Sequence, residues 1–278
     1  MKKAYIFFCG VVAALTFLSA QQAGSELTPV LGVSAFGGAA RGLEENAGAI
    51  GGVEGFGLLP LGQRFGLQGG FRHQGGNGGY RLGLSAGPVY GYDAGKLGLF
   101  ADYEYTHQGS NNFVYLRGVW AHYFDQFDFV LSYSHPVNSV QHDRVTNVFF
   151  TAGCAATRHD ESVPAINELK GVMRFYPTQN LELDAGVLVN SFAGPDRNET
   201  KTGIGGVFGA SYRVLDWMIL RLVQGQMDNR ERYRITSGVE LAWTPKPAQQ
   251  QKEQKRLIAE GRDQAFTLAS AGTIGAGC

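Results

Sequence analysis

From Thr28 to Thr244 the chain keeps returning to one unit: a run of about ten residues in which polar and apolar side chains alternate, a turn, and another such run. A period of two gives a strand two unlike faces. Leu97, Leu99, Ala101, Tyr103 and Tyr105 interleave with Gly98, Phe100, Asp102, Glu104 and Thr106. Leu181, Leu183, Ala185, Val187 and Val189 interleave with Glu182, Asp184, Gly186, Leu188 and Asn190. Near the end, Tyr233, Ile235, Ser237, Val239, Leu241 and Trp243 interleave with Arg234, Thr236, Gly238, Glu240 and Ala242. Runs of this length suit a tilted crossing of a bilayer, which takes ~9 to 11 residues.

The connections are sorted by length. Tight turns fall at Leu59 to Gln63, Tyr92 to Gly95, Phe124 to Gln126, Tyr176 to Asn180 and Val214 to Asp216. Longer polar loops alternate with them at Arg41 to Asn46, His73 to Gly79, His107 to Asn112, Pro136 to Pro164, Ser191 to Thr202 and Asp228 to Arg232. A soluble sandwich has no reason to sort its loops, whereas an outer-membrane barrel keeps short turns in the periplasm and long loops outside. The reading is an all-β fold, a transmembrane antiparallel up-and-down β-barrel of about twelve strands over residues 28–244. Within the longest loop, the β-like segment Arg144 to Thr151 predicts an extra hairpin above the membrane.

Composition agrees. Forty of 278 residues are Gly, which helix interiors disfavour, so a helical enzyme is not expected. Lys plus Arg and Asp plus Glu both number 24, and a chain with no basic excess gives no reason to expect a nucleic-acid partner. At the N-terminus Lys2 and Lys3 precede an apolar run from Ala4 to Leu18 that ends in Ser19 and Ala20, the layout of a signal peptide over residues 1–20. Beyond the barrel, Pro245 and Pro247 cannot continue a ladder, Gln249 to Gln264 reads as a polar helix, and residues 245–278 form a periplasmic or lumenal tail. Cys154 and Cys278 have no metal-ligand spacing and could form one disulfide, although spacing alone does not bring them within reach. No phosphate-binding Gly motif occurs, and neither cofactor nor metal is expected.

If the apolar faces meet lipid, the inner wall carries Arg64, Arg72, Arg81, Asp102, Glu104, Arg117, Lys170, Arg174, Glu182, Asp184, Arg213, Arg221, Arg234 and Glu240. The turn at Tyr176 to Asn180 sets Arg174 opposite Glu182, with Lys170 and Asp184 on the same face. Two roles fit these residues: pairs that fill and stiffen a narrow lumen, or a wet passage that mildly prefers anions. Aromatic residues near strand ends, among them Tyr80, Tyr90, Tyr92, Phe113, Tyr123, Phe124, Tyr176, Trp217 and Trp243, suit interfacial girdles.

Three resemblances extend this reading. The stretch from Thr236 through Gly238 and Leu241 to Trp243 resembles the signal read by the barrel-assembly machinery, which implies that machinery and outer-membrane lipids as partners and the outer membrane of a Gram-negative-type bacterium as the location. His107-Gln108-Gly109-Ser110-Asn111 is similar to the His-x-Ser-Asn element of outer-membrane phospholipases and lipid A deacylases. Its spacing of three, however, puts base and nucleophile on opposite strand faces unless a bulge intervenes. Tyr212 to Trp243 and the architecture as a whole resemble the β-domain of inverse autotransporters, the intimin and invasin class. That resemblance implies a non-enzymatic translocation barrel or surface scaffold, with Gln249 to Gln264 in the place of the linker that crosses the pore. A porin-like channel for small polar solutes is the alternative.

Overall fold

The computed structural model describes residues 27–41, 48–76, 79–106, 111–137, 140–144, 160–164, 166–193, 200–229 and 233–243. The expected signal peptide, the tail, the His107–Ser110 stretch, Cys154 and Cys278 lie outside these residues.

Fourteen strands are described: β1 (Val30–Arg41), β2 (Gly48–Pro60), β3 (Phe65–Gly76), β4 (Gly79–Tyr92), β5 (Gly95–Thr106), β6 (Asn111–Tyr123), β7 (Phe127–Pro136), β8 (Val140–Arg144), β9 (Asp160–Pro164), β10 (Ile166–Phe175), β11 (Leu181–Ala193), β12 (Thr200–Leu215), β13 (Met218–Asp228) and β14 (Tyr233–Trp243). All but β8 and β9 close into one antiparallel barrel of twelve strands, in which each strand pairs with its sequence neighbour and β14 returns to β1. Closure removes the unpaired edges that an open sheet would expose. The two remaining strands form a separate hairpin between β7 and β10. The segment Arg144 to Thr151, on which the extra hairpin was predicted, lies outside the described residues beyond Arg144; among the described residues, 140–144 pair with 160–164.

The tight turns are held locally. Leu61 N donates to Phe65 O at 2.8 Å and Phe124 N to Phe127 O at 2.9 Å. After β10 the turn is asymmetric. Pro177 has no N–H to give a ladder, Tyr176 N donates to Gln126 O at 3.2 Å, and Leu181 N donates to Thr178 Oγ1 at 3.1 Å. Phe175 consequently pairs with Leu183, and Arg174 faces Asp184, not Glu182 as a symmetric turn would have it.

Period two dictates the faces. Leu31, Leu67, Leu84, Leu99, Met173, Val187 and Ile204 are exposed on the outside, with Leu31 and Val187 each at 63%. A band of apolar surface running round the barrel far exceeds what a soluble monomer exposes, and hydrocarbon is its natural solvent. Aromatic rings gather in this wall near the tight turns. Trp120 Nε1 donates to the Tyr92 hydroxyl at 2.7 Å, His122 packs on Phe124 at 4.6 Å, and Phe124 stacks on Phe127 at 4.4 Å. Three residues assigned to such girdles do not belong there: Phe113 and Tyr123 alternate with outward residues, point inward and are buried, and Tyr176 turns inward to buried Asp128.

One irregularity keeps the pattern intact. In β13, Arg221 pairs with Ser211 and Val223 with Ala210, so Leu222 is an extra residue in a bulge. The bulge restores Gln224, Gln226 and Asp228 to the inner face after Ile219 and Arg221. Deleting Leu222 removes the extra residue without turning any inner side chain outward. The deletion variant is expected to keep its heat-modifiable migration on gels, whereas deleting Val187 from bulge-free β11 reverses one half of that strand and abolishes it.

Candidate functional site in the barrel interior

The inner wall is neither uniformly polar nor uniformly wet. Toward the tight turns it is apolar: Val30, Phe56, Leu58, Val89, Phe100, Val119, Ala121, Tyr123, Val130 and Ile219 form one buried cluster. Leu27, just before β1, joins them, and its N–H donates to Gln63 O at 2.8 Å, which ties it to the turn between β2 and β3. Phe100 and Val89 are each only 1% exposed, and Ala121 and Ile219 not at all. Side chains lining an open passage would stay wet, so these residues form a plug layer made from the barrel's own wall. Glycine makes room for it: a Cβ on Gly32 would lie 2.2 Å from the Phe56 ring.

Elsewhere the interior is ionic, in three groups, two nearer mid-strand and a third that reaches the tight turns between β7 and β12. The first spans the closure seam. Glu54 on β2 accepts from Ser34 on β1 at 2.9 Å, from Arg72 on β3 at 2.9 Å and from Arg221 on β13, and Arg221 also reaches Glu240 on β14 at 2.9 Å. Five adjacent strands thus share one network. Arg72 and Arg234 lie over Phe36 at 5.1 and 5.2 Å, a cation–π arrangement that covers both charges with an aromatic ring. The second group joins three strands. Arg117 on β6, fully buried, bonds both carboxylate oxygens of Asp102 at 2.5 and 2.9 Å and the Ser85 hydroxyl at 3.1 Å, and stands over Phe100 at 4.7 Å. Such a two-point arginine–carboxylate bond is among the stronger side-chain contacts.

The third group lies across β7, β10, β11 and β12. Arg174 is 3.9 Å from Asp184, Ser211 donates to Glu182 at 3.3 Å, and Tyr176 donates to Asp128 at 2.8 Å. In the turn after β10, burial first and then the nearby Glu182 and Asp128 push the Tyr176 phenol well above its usual range, so it stays protonated and donates. Arg213 bonds Asn180 Oδ1 at 3.0 and 3.2 Å and lies 3.5 Å from Asp216, stapling the tight turns.

Arg72, Asp102, Arg117, Arg174, Glu182, Asp184, Arg213, Arg221 and Glu240 therefore stand inside the barrel in specific bonds. Glu104 is buried on the same face of β5 as Asp102, and Arg81 stands beside its register partner, buried Gln74. Lys170 and Arg234 border a mid-barrel cavity of about 100 Å³. Arg64 departs from expectation. It lies in the turn before β3, half-exposed, and pairs with Asp93 of the next turn at 2.8 Å. The inward parity of β3 stops where the strand begins at Phe65.

Glu54, the hub of the seam network, was not among the predicted inner residues. Nor were Asp128, Glu168 and Lys96, all buried. The alternation Phe127-Asp128-Phe129 carried the signal for Asp128. For Glu54 the signal was masked, because Phe56 and Leu58 share its face and read as lipid-facing. Of the closing motif, Thr236 is buried inside and Trp243 is exposed outside. Gly238 lies so close to β1 that an added Cβ would stand 2.2 Å from Ala35 O.

No protein-family model and no curated protein matches this chain. Among solved structures it is similar to the NanC porin, with a TM-score of 0.50 and 10% identity over 76% of this chain and 98% of the porin. A chain from a study of in-meso crystallization of membrane proteins gives a TM-score of 0.50 and 11% identity over 84% of this chain and 93% of that one. The translocator domain of the autotransporter NalP from Neisseria meningitidis gives 0.45 and 11%, over 87% and 96%. The first two likenesses are likenesses of fold: the chain is a twelve-stranded β-barrel of the outer-membrane type.

Proposed function

We propose that this protein is a closed outer-membrane barrel that anchors its long loops at the cell surface, a non-enzymatic scaffold. The observation that carries this reading is the filled interior, an apolar layer over much of the tight-turn end with buried ion pairs beside and beyond it. Of the two roles implied by the resemblance to inverse autotransporters, anchoring needs only a stable wall. Translocation needs a lumen wide enough for an extended chain, and the layer formed by Leu27, Phe56, Phe100 and Val119 occupies that space. A passive channel needs a continuous wet path, which the same layer interrupts.

The full-length protein in a planar bilayer is expected to show no steady conductance, and a steady open channel would overturn the reading. Orientation is tested in a Cys154→Ser, Cys278→Ser background. Val137→Cys, exposed on the long-loop side at the end of β7, is expected to react with a membrane-impermeant maleimide on intact cells. Leu61→Cys, exposed in the turn between β2 and β3, is expected to react only after the outer membrane is opened.

A further inference from the structure

On the outward face of β7, β10 and β11 the apolar wall gives way to polar groups within one row. Toward the long loops, Phe129 and Leu131 on β7 are followed by Tyr133 and His135, Leu169 on β10 by Asn167, and Val189 on β11 by Ser191. The side chains that alternate with them, Ser134, Glu168 and Asn190, are buried inside, so the four polar residues face the lipid where its hydrocarbon ends. They are also bonded to one another. His135 Nδ1 lies 2.6 Å from Asn167 Oδ1, the Tyr133 hydroxyl donates to the same oxygen at 3.4 Å, and Asn167 Nδ2 donates to Ser191 O at 3.5 Å. The Ser191 carbonyl can only accept, which fixes the way the amide faces. Since Asn167 Oδ1 also only accepts, Nδ1 carries the proton of the neutral imidazole and Nε2 presents a lone pair. Among the described residues His135 makes no further bond; the Tyr133 ring stacks beside it at 6.4 Å. Its register partner Leu116 and the adjacent outward Val137 are exposed and apolar.

We infer that the Tyr133–His135–Asn167 cluster docks the headgroup of a sugar-bearing lipid, one of whose hydroxyls donates to His135 Nε2. An ionised phosphate only accepts hydrogen bonds, as Nε2 does, so the two repel. An ammonium group donates, but Leu116, Tyr133, Val137 and Ser191 offer it no counter-charge, and desolvating an unpaired charge is costly. A hydroxyl donates without carrying charge. The C–H face of a sugar packs on aromatic and aliphatic side chains, which Tyr133, Leu116 and Val137 supply, and the acyl chains continue down the wall past Leu131 and Leu169. The site goes beyond the scaffold reading and holds whether or not the lumen conducts.

The test uses the full-length protein folded in a detergent without a sugar headgroup. Glucosyl-diacylglycerol is the probe, against phosphatidylcholine and phosphatidylethanolamine with the same acyl chains. Native mass spectrometry is expected to show about one glucosyl lipid retained per chain, favoured over either phospholipid by about fivefold, the scale of one neutral hydrogen bond. His135→Phe keeps a ring without the acceptor and should remove the preference. Asn167→Leu, read alone if His135→Phe does not fold, releases the imidazole from its fixed orientation and should weaken it. Phe124→Ala, at the opposite end of the wall, should leave it unchanged. Equal retention of the three lipids by the parent chain would overturn the proposal, as would a preference for either phospholipid. So would a preference for the glucosyl lipid that survives in the folded His135 and Asn167 variants, or that Phe124→Ala removes to the same degree.

Discussion

Replacing Arg221 by Met is expected to destabilise the barrel by about 3–5 kcal/mol, the scale for leaving a buried charge without its partner. Arg221 is 4% exposed and reaches both Glu54 and Glu240, themselves buried. With it gone, Glu54 keeps Arg72 as a counter-charge, whereas Glu240 loses the bonds from both Nε and Nη2. Urea titration of the protein in lipid vesicles, read as the fraction migrating as the compact species, measures the loss. The double variant Arg221→Met, Glu240→Gln removes the carboxylate that loses these two bonds and should recover a large part of it. Recovery no better than the single variant would mean that packing, not charge, holds this part of the seam.

Phe100→Ala should have an effect of similar size, about 3–5 kcal/mol, because it empties a buried aromatic site. Phe100 belongs to the apolar layer and also carries the Arg117 guanidinium on its face. The same truncation at Phe124, an exposed ring near the tight turns, should stay within about 1 kcal/mol in the same titration. The two positions also separate in a bilayer. Phe100→Ala should admit brief openings where the parent chain is silent, and Phe124→Ala should not. Silence from both would show that the layer closes without this ring.

Alternation and loop sorting made the barrel legible from the residues, because a strand between two solvents has to write both into its sequence. The inner residues were less legible for one physical reason. Reading every apolar face as a lipid face assumes a wet lumen, and this lumen is partly dry. Phe56 and Leu58 share a face with Glu54, Phe100 with Asp102, and Val119 with Arg117. Where polar side chains dominated the inner parity, as at Glu182 and Glu240, the faces were readable. The opposition of Arg174 and Asp184 was out of reach, since it depends on how Pro177 and Thr178 shape one turn. The bulge in β13 was not read from the sequence, although the adjacent apolar pair Leu222-Val223 breaks the alternation where it lies.

The distribution of the seam charges bears on the order in which the barrel can be built. Glu54 and Arg72 sit on neighbouring strands near the N-terminus, and Arg221 and Glu240 on neighbouring strands near the C-terminus. Each half therefore reaches the membrane as a locally neutral hairpin, its charge cancelled by a partner made close by in the chain. The contact between Arg221 and Glu54 waits for β14 to meet β1, as does that of Arg234 with the Phe36 ring. Joining the two ends thus leaves the Glu54–Arg72 and Arg221–Glu240 pairs intact and links them into one network.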